Sequence, residues 1–242
     1  CLALDNIESC NHALALAEKL SSFVGSVKVG KELHLMAGNE ERNIVKEISG
    51  RNLEIFLDLK LHDTSNTVFK AAYQCAVPGV YMFNVHISGM EKMCKSAIEG
   101  SKKGASDRKI KSPKVIGVTE LTSLAGNDLL IQEIKISYDD LVKRRAELAR
   151  KWGLDGIVCP ANKAGMLEKE FGSDFLYVTP GIEYDGKSGF EQAQLYTPEK
   201  AVRDCTNSIL VIGSAMTKSE DMQKTAYEII KSMAGEMENR LL

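Results

Sequence analysis

Phe56-Leu57-Asp58-Leu59-Lys60-Leu61-His62-Asp63 alternates apolar with polar side chains, the period-2 pattern of a β-strand. Alternation puts Asp58 and Lys60 on one face of that strand, about 6.5–7 Å apart along it. Both faces of a strand are buried in a closed parallel barrel, so charges there are costly unless paired and used. A structural ion pair at a barrel rim would account for Asp58 and Lys60 alone. It does not account for the full spacing Asp–x–Lys–x–x–Asp, nor for a further lysine one unit earlier in Val27-Lys28-Val29-Gly30. Alternating charges keep a lysine ionised and fixed, as delivery of a proton to a carbanion-like centre requires.

Outward from this strand the same grammar repeats. Strand candidates are Cys1–Asp5, Val27–Gly30, Ile55–Leu61, Val80–His86, Lys114–Leu121, Gly156–Pro160, Phe175–Gly181 and Ser208–Ala215. Helical patterns fall between them, over 9–22, 40–49, 66–76, 90–100, 137–152, 162–171, 197–205 and 219–233. The best defined is 137–152. Ser137 and Asp140 have the spacing of a capping box, Leu141, Leu148 and Trp152 recur at helical spacing, and Gly153 supplies a stop. Eight β-then-α units without linker, repeat or low-complexity tract point to a parallel sheet, doubly wound or closed as a barrel, and the count of eight favours closure: an α/β fold, a (β/α)8 TIM barrel forming a single domain over residues 1–242. Chemistry in such barrels sits where strands end and βα loops begin. The polar or special residues at those points are Asp5, Lys28, Asp58, Lys60, Asp63, His86, Thr122, Pro180 and Gly213.

Composition narrows the function classes. The 242 residues are 44% hydrophobic, with 31 Lys+Arg against 33 Asp+Glu and a net charge of -2. That excludes a wholly disordered chain and lacks the basic footprint of a nucleic-acid binder. No apolar run approaches the roughly 18–20 residues of a membrane helix, and no signal segment opens the chain, so a cytoplasmic location is expected. The six cysteines are scattered without a C-x-x-C pair, and most sit inside apolar stretches such as Ile157-Val158-Cys159, where a thiol acts as a small buried hydrophobe and a disulfide is not expected. His12, His34, His62 and His86 form no metal-binding spacing, so no metal is expected.

From Leu57 to Asp63 and on through Asn66-Thr67-Val68, the chain closely resembles the signature of the orotidine 5'-phosphate decarboxylase family. Leu2-Ala3-Leu4-Asp5, Val27-Lys28-Val29-Gly30, Asn84-Val85-His86, Val118-Thr119-Glu120-Leu121-Thr122-Ser123, Gly153-Leu154-Asp155-Gly156, Thr179-Pro180-Gly181-Ile182 and Val211-Ile212-Gly213 follow in family order. The resemblance covers nearly the whole chain. It implies a (β/α)8 homodimer that converts orotidine 5'-phosphate to uridine 5'-phosphate and CO2 without a cofactor, in pyrimidine nucleotide synthesis. By matching position, Lys28, Asp58 and Lys60 correspond to the family's catalytic array, and Asp63 to the aspartate that reaches into the neighbouring subunit's site. Lys60 would protonate C6, and Asp58 would lie against the departing carboxylate. Asp5 and Thr67 resemble the ribose contacts, Thr67 coming from the partner. Thr122 matches the hydroxyl that reads the pyrimidine edge, and Gln192 the glutamine bridging base and phosphate. Pro180, Gly213 and Ser214 fall at the phosphate end, and His86 reads as a supporting rather than a catalytic histidine.

The chain departs from the family at that phosphate end. Gly213-Ser214 stands where the family has Gly-Arg, Ile182-Glu183 where it has Ile-Arg, and Asp63-Thr64-Ser65 where it has Asp-Ile-Pro. An arginine fork supplies both charge and geometry to a phosphate. Without it, backbone N–H groups of the last two βα loops remain, and Lys187 or Lys218 could add charge. Residues 182–196, with Gly186 and Gly189, read as the lid.

Three other readings compete. Gly181–Ser188 fits G-x-x-x-x-G-K-S, the phosphate loop of nucleoside triphosphatases. No convincing helix follows it directly, no later strand ends in an aspartate for Mg²⁺, and Glu183 and Asp185 would set acid beside the phosphates. A Mg²⁺-dependent 3-keto-L-gulonate-6-phosphate decarboxylase shares Asp–x–Lys–x–x–Asp, but uses an acidic residue at the end of strand two, where this chain has Lys28. A catalytically impaired or non-catalytic nucleotide-binding barrel would keep the fold and lack turnover.

Overall fold

Runs of β-branched and aliphatic residues separated by amphipathic stretches can bury both faces only in a parallel sheet covered by helices. That is the arrangement in a computed structural model of the chain, which describes residues 1–124, 126–184 and 196–239. Among the described residues the strands are β1 (Leu2–Ala3), β2 (Ser26–Gly30), β3 (Glu54–Leu61), β4 (Val80–His86), β5 (Lys114–Val118), β6 (Gly156–Val158), β7 (Leu176–Thr179) and β8 (Ser208–Leu210). They pair in parallel in sequence order, β1 through β8. Ile212 then pairs with Leu2. Ala3 N–H donates to Ile212 O at 2.8 Å and Ile212 N–H to Cys1 O at 2.9 Å, which closes the sheet into a (β/α)8 barrel.

The helices are α1 (Cys10–Leu20), α2 (Lys31–Asn39), α3 (Ile44–Ser49), α4 (Ser65–Cys75), α5 (Met90–Arg108), α6 (Gly126–Ile131), α7 (Tyr138–Trp152), α8 (Ala161–Phe171), α9 (Pro198–Asp204), α10 (Ser214–Thr217) and α11 (Met222–Asn239). Helix α7 starts and stops as its sequence predicts. Ser137 Oγ accepts from Asp140 N–H at 3.1 Å and donates to the Asp140 carboxylate at 2.6 Å. Gly153 ends it with left-handed backbone, φ 83°.

Two helical expectations need correction. The segment expected as one helix over 40–49 is preceded by an unanticipated helix, α2, and only its second half is helical, as α3. Helix α2 buries just Leu33 and Ala37, too narrow a stripe for periodicity to reveal, and Glu41 at φ 54° breaks the chain between the two. Helix α5 continues past residue 100 to Arg108 because Gly100 and Gly104 are packing residues, not stops. A Cβ on Gly100 would lie 2.2 Å from Phe69 O, and one on Gly104 2.5 Å from Tyr73 O, so α5 lies directly on the backbone of α4.

The core has two parts. A large cluster joins the outer faces of the strands to the helices, with Leu4, Val27, Val29, Phe83 and Phe175 among its members. A smaller cluster fills the barrel's interior, from Ala3, Phe56, Met82, Ile116, Val158 and Val178. Asp58 follows Phe56 on the same face, so the interior plug ends where the charged residues begin. Among the described residues no cysteine pair forms a disulfide. Among the described residues no helix is long and apolar enough to cross a membrane.

Candidate active site

At the C-terminal ends of the strands lies a cavity of about 360 Å³ whose lining includes Asp5, Lys28, Asp58, Lys60, Glu120 and Thr122. Its floor is a continuous charge chain. Lys28 Nζ stands 2.7 Å from Asp5 Oδ1 and 3.1 Å from Asp58 Oδ2, and Lys60 Nζ stands 2.6 Å from Asp58 Oδ1. Gly30 permits this crowding, since a Cβ there would lie 2.9 Å from Asp5 Oδ1 and 3.4 Å from Lys28 Nζ. The Lys28 and Asp58 side chains are only 9% and 12% exposed, whereas Lys60 is 29% exposed and the more accessible cation of the array.

Regular alternation along β3 does not by itself produce this geometry. Leu57 pairs with Phe83 and Leu61 with Val85, so residues 58–60 face the single residue Asn84 across the ladder. This is an irregularity of the bulge kind, which re-aims side chains. Lys60 takes left-handed backbone, φ 49°. Asn84, fully buried, spans the irregularity: its Oδ1 accepts from Lys60 N–H at 2.7 Å while its Nδ2 donates to Asp58 Oδ1 at 2.7 Å. One side chain thus orients both the acid and the lysine. The signal in the sequence was present in Asn84-Val85-His86, but pattern alone gave Asn84 no role.

Burial opposes charge on Asp58, yet Lys28 and Lys60, with hydrogen bonds from Lys60 and Asn84, outweigh it and hold the carboxyl down at about 2. Burial likewise disfavours the Lys28 ammonium, and the charges of Asp58 and Asp5 more than offset it, so its pKa is raised. The acid and Lys28 are therefore ionised throughout the neutral range. His86 is pushed the other way, to about 4, by burial and by His62, whose ring centroid is 5.4 Å away. His86 is therefore a neutral imidazole in the neutral range.

The remaining expected residues divide into three groups. Thr122, Pro180, Gly213 and Ser214 line the cavity with the array, as does Lys218. Asp63 and Thr67 do not: both are exposed and outside its lining, Asp63 accepting from Thr64 N–H at 2.5 Å and Thr67 Oγ1 lying 3.0 Å from Thr64 Oγ1. Gln192, Lys187, most of the 182–196 lid and the end of the Gly181–Ser188 motif lie outside the described residues. Two further lining residues, His12 and Glu120, were missed by pattern reading. His12, on α1, and Ser214 each have a buried side-chain atom, Nδ1 and Oγ, with no hydrogen-bond partner among the described residues. Glu120 is the other acid of the cavity, and it is buried. Among the described residues no three His, Cys, Asp or Glu side chains group as a metal site would need.

Comparison with known proteins bears on the family and the fold. The model of the orotidine 5'-phosphate decarboxylase / HUMPS family matches residues 1–229. The orotidine 5'-phosphate decarboxylase of Aliivibrio fischeri strain MJ11 is 40% identical over 222 residues, 92% of each chain. The crystal structure of the Lactobacillus acidophilus orotidine 5'-phosphate decarboxylase superposes with a TM-score of 0.76 at 31% identity, covering 96% of this chain and 97% of that one. That of Methanocaldococcus jannaschii orotidine 5'-monophosphate decarboxylase, complexed with the inhibitor BMP, gives 0.71 at 25% identity and 96% coverage of both chains. A closed parallel barrel, a Lys–Asp–Lys array at its strand ends and matches of this extent lead to one conclusion: the chain belongs to the orotidine 5'-phosphate decarboxylase / HUMPS family.

Proposed function

We propose that this enzyme, an orotidine 5'-phosphate decarboxylase by its family and relatives, works through Lys60 as the proton donor within a Lys28–Asp58–Lys60 array. The observation that carries the reading is the array itself: a carboxylate held at about 2 between two lysines, on the floor of a cavity at the strand ends. The C6 carboxylate of orotidine 5'-phosphate would sit over Asp58 and beside Lys60. The C6–carboxylate bond breaks, CO2 leaves, and the electron pair stays at C6. The Lys60 ammonium, the more exposed of the two, stabilises that charge and gives C6 its proton, and the resulting amine is reprotonated from solvent. Lys28 holds Asp58 and Asp5 in register, with Asp5 placed for a ribose hydroxyl and Thr122 for the pyrimidine edge.

The chain acts as one catalytic domain, and as a homodimer. The support is that Asp63 and Thr67 are exposed and outside their own cavity's lining, which suits residues that complete a second copy's site. At the far end, His12 Nδ1 and Ser214 Oγ, unpartnered and buried, offer hydrogen bonds where the phosphate would come. Gln192 would bridge base and phosphate. The test is the ultraviolet absorbance change on mixing the protein with orotidine 5'-phosphate in chelator, over a wide substrate range. Turnover that Lys60→Ala abolishes, with the fold unchanged by circular dichroism, is the expected result. No turnover at saturating substrate from folded protein would instead identify a non-catalytic barrel. Near wild-type kcat in Lys60→Ala would refute the assignment of Lys60.

A further inference from the structure

Glu120 is a carboxylate in the wall of a cavity that is proposed to admit an anion, and such a group repels its ligand unless something neutralises it. It lies two residues past Val118, which also lines the cavity, and is 7% exposed. Arg145, from α7 on the outside of the barrel, reaches over the strand end to it. One guanidinium nitrogen, Nη1, contacts Glu120 Oε2 and also donates to Thr119 O at 2.6 Å. The other carboxylate oxygen, Oε1, accepts from Leu121 N–H at 2.9 Å. The Arg145 and Glu120 side chains are 13% and 8% exposed, so the pair is shielded from solvent screening.

The same contacts hold a segment of backbone. Thr119 Oγ1 donates to Val158 O at 2.8 Å, and Tyr138 O–H, also from α7, donates to Leu121 O at 3.4 Å. Residues 119–121 are thereby tied to α7 and to the next strand, immediately before Thr122 in the cavity wall. Glu120 cannot serve as a free acid or base while both oxygens are engaged. Its electrostatic reach includes His86, next to the array.

We infer that Arg145 is a positioning residue for substrate binding: it neutralises Glu120 in the cavity wall and clips the β5 loop, keeping the site open to an anionic pyrimidine nucleotide. The inference rests on the decarboxylase reading but fails separately from it, because wild-type turnover tests that reading and the variants below test this one. Steady-state kinetics on orotidine 5'-phosphate are measured for the wild type, Arg145→Met, Glu120→Gln and the double variant. Arg145→Met leaves the carboxylate facing the ligand and should raise KM about ten-fold or more, with a smaller change in kcat, since the array is untouched. Adding Glu120→Gln should bring KM back to within about three-fold of wild type. Circular-dichroism melts of all four proteins separate this from a purely structural role: KM that rises and recovers only in step with a lost and regained Tm overturns the inference. An unchanged KM in folded Arg145→Met, or a loss that Glu120→Gln fails to relieve, overturns the inference. If Arg145→Met does not yield folded protein, Arg145→Lys takes its place, with a smaller rise of about three-fold, again relieved by Glu120→Gln.

Discussion

Replacing Asn84 by alanine should damage stability and chemistry together, because that one side chain holds Asp58 and Lys60 in relation to each other. The variant loses a hydrogen bond to an ionised carboxylate, worth about 1.5–3 kcal/mol, and leaves the Lys60 N–H without its acceptor, at a cost of about 1–3 kcal/mol. Lys60 is 29% exposed, so water can replace part of the second contact. A net destabilisation of about 3 kcal/mol is the reasonable expectation. For a chain of this length that corresponds to a fall in Tm of roughly 6–12 °C. Lys60 would also lose the contact that fixes its left-handed backbone, and a displacement near 1 Å at a reacting group can cost about 100-fold in kcat. Circular-dichroism melts and absorbance-monitored turnover of orotidine 5'-phosphate measure the two effects on one preparation. A variant that melts within about 2 °C of wild type and keeps kcat within about two-fold would refute the bridging role.

Other expectations follow from the same geometry. The Asp58 carboxyl is depressed from 3.8 to about 2, so its contribution is fully present above pH 3.8 and is lost as pH falls through 2. The shift corresponds to roughly 2 kcal/mol; denaturant midpoints should therefore show a loss across that window in wild type that is absent from Asp58→Asn. If sites are shared, inactive Lys60→Ala and inactive Asp63→Ala should regain about one quarter of wild-type activity when co-refolded, since half the dimers would carry one intact site. No recovery from a mixed dimer would place Asp63 outside the neighbour's site. Gly100→Ala should destabilise by about 1–3 kcal/mol by forcing α5 away from Phe69 O, with kcat retained. A melting temperature equal to wild type would show that α4 and α5 can separate freely.

The alternation of strands and helices was legible in the sequence because each strand carries an apolar run and each long helix a broad apolar stripe. Helix α7 could be placed to the residue from Ser137 and Gly153. Helix α2 could not, because it buries only two side chains along its length. The full length of α5 was hidden for a related reason: glycine weighs against helix, and only the Phe69 and Tyr73 carbonyls show why Gly100 and Gly104 sit mid-helix. At the site, Lys28, Asp58 and Lys60 were readable because charge inside an apolar strand is costly. Asn84 and Arg145 were not, since a polar residue looks ordinary until the partner, distant in sequence, is brought to it. Arg145 lies 25 residues beyond Glu120 on a helix whose exposed face is full of other charges.

The stretch of β3 between Leu57 and Leu61 that leaves the β4 register has an implication for how such a protein can change. The interlocked strands on either side form the part that holds the barrel together, while residues 58–60 are excused from the β3–β4 ladder. Chemistry and architecture are thus written on separate parts of one strand. Shortening the stretch to a regular register would leave a barrel with a better-formed sheet and a lysine turned out of its reaction. Conversely, new side chains at residues 59 and 60 leave the β3–β4 ladder as it is, while Asp58 stays in register with Gly30 of β2. The barrel is a frame in which the reactive segment can be revised while the frame stays closed.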